Sequence, residues 1–187
     1  MAEDTAAGGG LQTAVSAGRG HPYHHGVHPR ASELVTSLNL APHSEGGYFT
    51  RAFRSEATVF PADSRGSRAA LSVIYFLLVE GTFSRWHRVA SDEAWHHYEG
   101  SPLEILTVSP RGGDVNRHTL GPLSATSAPL HVVPSGWWQA AQALGPYSLV
   151  GCSVGPGFEY DDFSLLASIP AAERPIFDPP SLQAAFL

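Results

Sequence analysis

Between residues 47 and 154 apolar and polar positions alternate in short runs, the period of strands with one buried face. The runs predict strands over Gly47–Arg54, Ala69–Val79, Phe83–Arg88, Glu93–Tyr98, Leu103–Ser109, Leu130–Val133, Trp137–Ala143 and Tyr147–Val154. Clusters of Gly, Pro, Asp and Asn at Pro61–Gly66, Ser109–Asp114 and Gly145–Pro146 separate several of them. Many short strands with few helices predict an all-β sandwich or barrel. Leu71–Val79 is apolar on both faces, as expected of a central strand or one at an oligomer interface. Helical period occurs convincingly once, over Ser32–Leu40. There Leu34, Val35 and Leu38 share a face, Ser32 is a candidate N-cap, and Pro42 stops the helix.

The flanks differ from this middle. Residues 1–30 are rich in Gly, Ala, Ser and His, with few large aliphatics, and are expected to form a disordered tail. Residues 31–168 hold the barrel, and residues 169–187, with Pro170, Pro175, Pro179 and Pro180, are expected to wrap it as an extended arm. The tract His21–His28 reads as a solvated tail or as a loose metal tract.

With 187 residues, 43% of them hydrophobic, the chain is long enough for one domain with a sizeable core. A net charge of −6 lacks the basic face that nucleic acid requires. No apolar run reaches the ~18 residues of a membrane span, and no secretory signal is expected. One cysteine, Cys152, cannot form an internal disulfide, which makes a reducing, cytoplasmic setting the expectation. In its apolar run Ser148–Val154 it reads as a small buried hydrophobe rather than a nucleophile.

Candidate chemistry concentrates in Gly81–Gly100, which holds His87, Glu93, His96 and His97. By alternation Glu93, Trp95 and His97 share one strand face, and His96 and Tyr98 the other. A buried imidazole beside a buried carboxyl has its titration pulled toward neutrality and can move a proton. His87 and Glu93 are expected to face each other across a mouth lined by Phe76, Trp86, Trp95 and Trp138, either to do chemistry or merely to satisfy one another. The second dense patch is Glu45–Arg54. Gly46 and Gly47 allow a tight bend, after which Tyr48, Thr50, Ala52 and Arg54 share one face and Phe49, Arg51 and Phe53 the other. An inward arginine would fork a carboxylate or phosphate, with surface ion pairing as the alternative, and Glu45 is placed at the mouth. Arg85 and Arg88 are expected outside, bridging to Glu80 or Glu99.

These phrases resemble a known family. Gly81, His87, Val89, Glu93 and Gly100 stand at the spacing of the first cupin motif, with Val89 where a second histidine is usual. Pro134-Ser-Gly-Trp-Trp-Gln139 is similar to the second motif, with Gln139 in the histidine's place. Pro42-His-Ser-Glu-Gly-Gly-Tyr-Phe, Ile74-Tyr-Phe-Leu-Leu, Ser91-Asp-Glu-Ala-Trp-His and Leu149-Val-Gly-Cys-Ser-Val-Gly-Pro-Gly-Phe resemble the fifth cupin family, over roughly residues 32–166. The resemblance implies a single-domain double-stranded β-helix, a jelly-roll barrel, with a short N-terminal helix, and a homodimer. It implies a divalent metal (Fe, Mn, Ni or Zn) where the ligand set is complete. Here His87, Glu93 and Gln139 stand at ligand positions and would hold a metal if one is bound, with His96 or His97 as a further ligand to complete the set, but no metal is expected to be required. Metal-free cupin epimerases pair a His base with a Tyr acid, which makes His87, Glu93 and Tyr48 the candidate catalytic residues, with Tyr75 a further acid. Glu45, Arg51, Tyr75, Trp95, His96, His97, Trp138 and Gln139 are the candidate substrate contacts. The leading expectation is an isomerase or epimerase-like enzyme acting on a small polar metabolite, a sugar derivative or oxo acid. A non-catalytic small-ligand cupin and a metal-dependent oxygenase are the alternatives, and neither nucleic acid nor membrane is an expected partner.

Overall fold

The computed structural model describes residues 28–187; the expected tail up to residue 27, with His21, His24 and His25, lies outside the described residues. The chain opens with helix α1 (Pro29–Ser37) and continues through β1 (Ala41–Pro42), β2 (Tyr48–Arg54), β3 (Thr58–Val59), β4 (Arg68–Ala69), β5 (Ser72–Val79), β6 (Phe83–Val89), β7 (Asp92–Gly100) and β8 (Leu103–Val108). It then forms β9 (Gly113–Asp114), β10 (Asn116–Leu120), β11 (Leu130–Val133), β12 (Trp138–Ala143), β13 (Tyr147–Gly155), β14 (Phe163–Leu165), β15 (Phe177–Asp178) and helix α2 (Pro180–Ala185).

Two antiparallel sheets make the all-β double-stranded β-helix, in the orders β1-β2-β5-β13-β7-β11 and β10-β8-β12-β6-β14. Side chains alternate between the barrel interior and the outside. From β5, Phe76 and Leu78 point inward, where they meet Trp95, Ile105, Leu120, Val150 and Cys152. Tyr75, Leu77 and Val79 point outward, under α1. Both faces of this strand are apolar because a helix covers the outer one, which selects the central-strand reading over an interface. No helix among the described residues is long and apolar enough to cross a membrane.

Helix α1 starts before the predicted cap. His28, not Ser32, caps it, its Nδ1 accepting the Arg30 N–H at 3.2 Å. Pro29 then occupies the first helical position, where its missing N–H costs nothing. β10 and β14 escaped the sequence reading because Asn-Arg-His-Thr-Leu carries too few apolar residues and Phe163–Leu165 is too short for periodicity to register.

The C-terminal segment is more than an extended arm. β15 pairs in parallel with β9, α2 follows, and Phe177 and Phe186 are buried against Trp86 on the outer face of the smaller sheet. The Trp86 N–H donates to the Phe186 carbonyl at 2.9 Å, and its indole N–H to the Leu182 carbonyl at 3.0 Å. Trp86 and Trp138 therefore lie under this arm and not at the barrel mouth. Each is one residue from an inward side chain, His87 or Gln139, and a strand sends neighbours to opposite faces.

Candidate functional site

A cavity of about 100 Å³ opens into the barrel between the two sheets. β6 supplies His87 and Val89, β7 supplies Glu93, β2 supplies Phe49 and Arg51, and β13 supplies Cys152 and Val154. The turn before β2 supplies His43 and Glu45, and the segment after β13 supplies Phe158, Tyr160 and Phe163. The turn folds inward because Gly46 and Gly47 take positive φ of 113° and 67°. A Cβ on Gly46 would collide with the Phe83 carbonyl, and one on Gly47 would lie 2.8 Å from the Leu77 oxygen. That close packing carries Glu45, 6% exposed, to the cavity floor.

Donors and acceptors locate the protons at the floor. The Arg85 carbonyl lies 2.8 Å from His87 Nδ1 and can only accept, so Nδ1 carries hydrogen. The other ring nitrogen, Nε2, faces Glu45 Oε2 at 3.2 Å. Two lone pairs cannot meet there, so one proton lies between them, as carboxylic acid with neutral imidazole or carboxylate with imidazolium. Burial pushes the Glu45 carboxyl up, against the pull of His43 and the hydroxyl of Ser84, which donates to Oε1 at 2.9 Å. Burial pushes His87 down, opposed by the Glu93 carboxylate. Both directions favour the uncharged pair.

Glu93 is the second buried carboxyl, raised by burial and held back by His87. Its Oε2 accepts from Gln139 Nε2 at 2.5 Å, and the Cys152 side chain lines the same cavity. Cys152 is buried, with its thiol pushed well up, as a small core residue should be. His43 Nδ1 lies 3.6 Å from Glu45 Oε2, its titration lowered by burial, and its ring packs edge-on against Phe49 at 4.5 Å.

The structure brings together His87, Glu93, Glu45 and Arg51 from the residues expected at the site. The imidazole's partner is Glu45 rather than Glu93 alone. Tyr48 and Tyr75 point the other way, into the cluster beneath α1, so neither is placed to act as the acid. Trp95 lies in the core, its indole N–H donating to Gln139 Oε1 at 3.0 Å. His96 sits opposite Leu130 and Gly151 on the outer face, and His97 Nε2 reaches only the Ser101 carbonyl at 3.2 Å. Trp138 is buried beneath the arm with the Arg88 guanidinium 4.7 Å over its ring. Arg85 donates to the Ser44 carbonyl, and Glu99 pairs with Arg30 at 2.7 Å, so the expected bridges to Glu80 and Glu99 do not form. Sequence reading missed His43, Phe158, Tyr160 and Phe163; the phrase His43-Ser-Glu45-Gly-Gly was the available signal for the first.

The donor set does not fit a transition-metal centre. Val89 offers only methyl groups to the cavity. Gln139 turns its amide nitrogen to Glu93 and its oxygen to the Trp95 indole N–H, and it does not line the cavity. His87 Nε2 meets a carboxyl oxygen, not a point shared with other ligands, and no group of three or more ligating side chains converges among the described residues.

A jelly-roll barrel whose motif-bearing strands deliver a histidine and a carboxylate to one interior cavity defines a cupin. Residues 32–166 match the family described as Cupin superfamily (DUF985), the fifth cupin family, and the chain belongs to it. Protein SO0799 of Shewanella oneidensis is similar at 34% identity and a TM-score of 0.72, over 83% of this chain and 96% of that one. A hypothetical protein from Leishmania major is similar at 27% identity and a TM-score of 0.70, with the same coverage. An oxalate decarboxylase from B. subtilis shares the fold at 19% identity and a TM-score of 0.50, over 69% of this chain and 32% of that one. No curated protein shows significant similarity to the chain.

Proposed function

We propose that this cupin is an isomerase or epimerase-like enzyme that moves a proton on a small polar metabolite, a sugar derivative or an oxo acid. The observation carrying the reading is the 3.2 Å contact between Glu45 Oε2 and His87 Nε2, which requires a shared proton, on a cavity floor that Glu93 also lines. Ionised Glu93 removes a proton from substrate carbon, and the Glu45–His87 pair delivers one to substrate oxygen. The two sites are coupled. The Glu93 carboxylate strengthens proton binding by His87, and protonation of Glu93 withdraws that help, releasing the pair's proton as the other is taken up. Return of the proton from Glu93 to the neighbouring carbon, while the pair takes a proton back from the other oxygen, completes an isomerisation.

The test is deuterium incorporation at carbon, followed by proton NMR, with sugar derivatives and oxo acids in deuterated water. Exchange is expected with the native chain and lost in His87→Ala and Glu93→Gln. Exchange unchanged in both variants would refute the assignment. A homodimer and a reducing, cytoplasmic setting complete the reading. Phe53, Tyr98, Leu130 and Val132 stand exposed on the six-stranded sheet and suit a second copy, and the free thiol of Cys152 suits the compartment. Light scattering should report a dimer, and Val132→Glu a monomer.

A further inference from the structure

Arg51 is the permanent cation of the cavity lining, and it has no carboxylate or carbonyl partner among the described residues. Three other arginines are already paired: Arg54 with Glu159 at 2.6 Å, Arg65 with Asp63 at 2.8 Å, and Arg68 with Asp162 at 2.7 Å. Arg51 shares the inward face of β2 with Phe49, and the pairing of β2 with β5 shifts immediately after it. It is thus the last inward side chain of its strand, at the cavity rim. Between it and the floor the walls are largely apolar, with Ile74, Val154, Phe158 and Phe163.

Two features set what such a cavity accepts. Its floor is lined by acids and favours a neutral group, so a ligand's negative charge belongs at the rim. Its volume of about 100 Å³ gives space for roughly 7–10 water-sized groups, which excludes a nucleotide lying wholly inside. A guanidinium presents a planar pair of donors that matches a carboxylate.

We infer that the ligand is a small monocarboxylate, a hydroxy or oxo acid, with its carboxylate forked by Arg51 and its reacting carbon beside Glu93. This rests on the proton-transfer reading above and narrows it to one substrate class. For a 2-oxo acid, Glu93 takes a proton from the carbon beside the ketone and that C–H bond breaks. The electron pair moves onto the ketone oxygen, which forms its O–H bond with the proton from Glu45, giving the enol. Reversal regenerates the ketone and returns both protons.

Calorimetric titration of the full chain with 2-oxobutyrate, 2-hydroxybutyrate, their amides and methyl phosphate tests the inference. The acids should bind at least tenfold more tightly than the amides. Arg51→Ala should cost the acids at least tenfold while leaving amide binding unchanged, and Arg51→Lys should fall between. Arg51 is exposed, so an unchanged melting temperature is expected to show that the variants fold. Failure of the acids to bind, equal binding of acid and amide, indifference to Arg51→Ala, or preference for methyl phosphate would each overturn it. Exchange at carbon 3 of 2-oxobutyrate in deuterated water, against a protein-free control, separates the two readings. Arg51-dependent binding without exchange defeats the proton-transfer reading alone. Exchange in the neutral amides that ignores Arg51 defeats the carboxylate assignment alone.

Discussion

Acidification should destabilise the seam where β10 and β11 meet. His118 from β10 and His131 from β11 stack there with ring centroids 3.8 Å apart and planes 26° from parallel. The Thr107 hydroxyl lies 3.1 Å from His118 Nε2. Burial, then the neighbouring His118, pushes His131 down from 6.5 to about 4, and burial lowers His118 as well. A base lowered on folding binds its proton more readily in the unfolded chain. The stabilising contribution of neutral His131 is therefore complete above pH 6.5 and lost as pH falls through about 4. At about 1.4 kcal/mol per unit the shift sets an upper bound near 3 kcal/mol; solvent screening of a half-buried ring reduces this to about 1–2 kcal/mol. His131→Phe keeps an aromatic stack and removes the titration. Urea unfolding at pH 7.5 and pH 4.5 should show the native chain losing about 1–2 kcal/mol more than the variant between those conditions. Comparison with the variant cancels the contributions of His43 and His87, which have the same sign, and of Glu45 and Glu93, which have the opposite one. Parallel losses in the two proteins would refute the reasoning.

Three further outcomes follow from the packing. Phe177→Ala empties a fully buried ring site between Trp86 and Trp138 and should cost about 3–5 kcal/mol in urea unfolding; a cost below about 1 kcal/mol would mean that the arm is not integral to the fold. Asp162→Asn leaves Arg65 and Arg68 without their shared carboxylate and should cost about 2–3 kcal/mol near neutral pH. Because the Arg68 guanidinium holds the Asp162 carboxyl below its ordinary 3.8, this stabilisation is present above that pH and declines below it, so native and variant curves should converge in acid. Gly46→Ala forces a side chain into positive φ and onto the Phe83 carbonyl, at a cost of at least about 2 kcal/mol. NMR titration of His87 should then report a displaced Glu45, and an unmoved titration would contradict the role given to the turn.

Much of the architecture was legible in the chain because strand burial writes itself as period-two alternation. β2, β5 to β8 and β11 to β13 all stand in segments where the pattern is strong. Pattern failed where local residues do not carry the reason for the structure. β10 is polar and becomes a strand by pairing with β8 from Asn116 opposite Thr107 to Leu120 opposite Leu103. The arm after residue 168 gains its fixed shape from the apolar surface of Trp86 and Trp138, which no property of its own sequence reveals.

The sequence by itself determined the fold class, the family and three of the groups that line the floor and rim: His87, Glu93 and Arg51. Glu45 was visible too, as a candidate substrate contact at the mouth, but not as the partner of His87. Tertiary structure decided the pairings. Strands distant in sequence fix which side chains meet, so His87 received Glu45 from the glycine turn, Glu93 received Gln139 from β12, and Tyr48 was turned under α1. Alternation specifies that a side chain faces inward or outward; its partner depends on strand order, register and the bulges that shift them, and those are set by packing of the whole barrel.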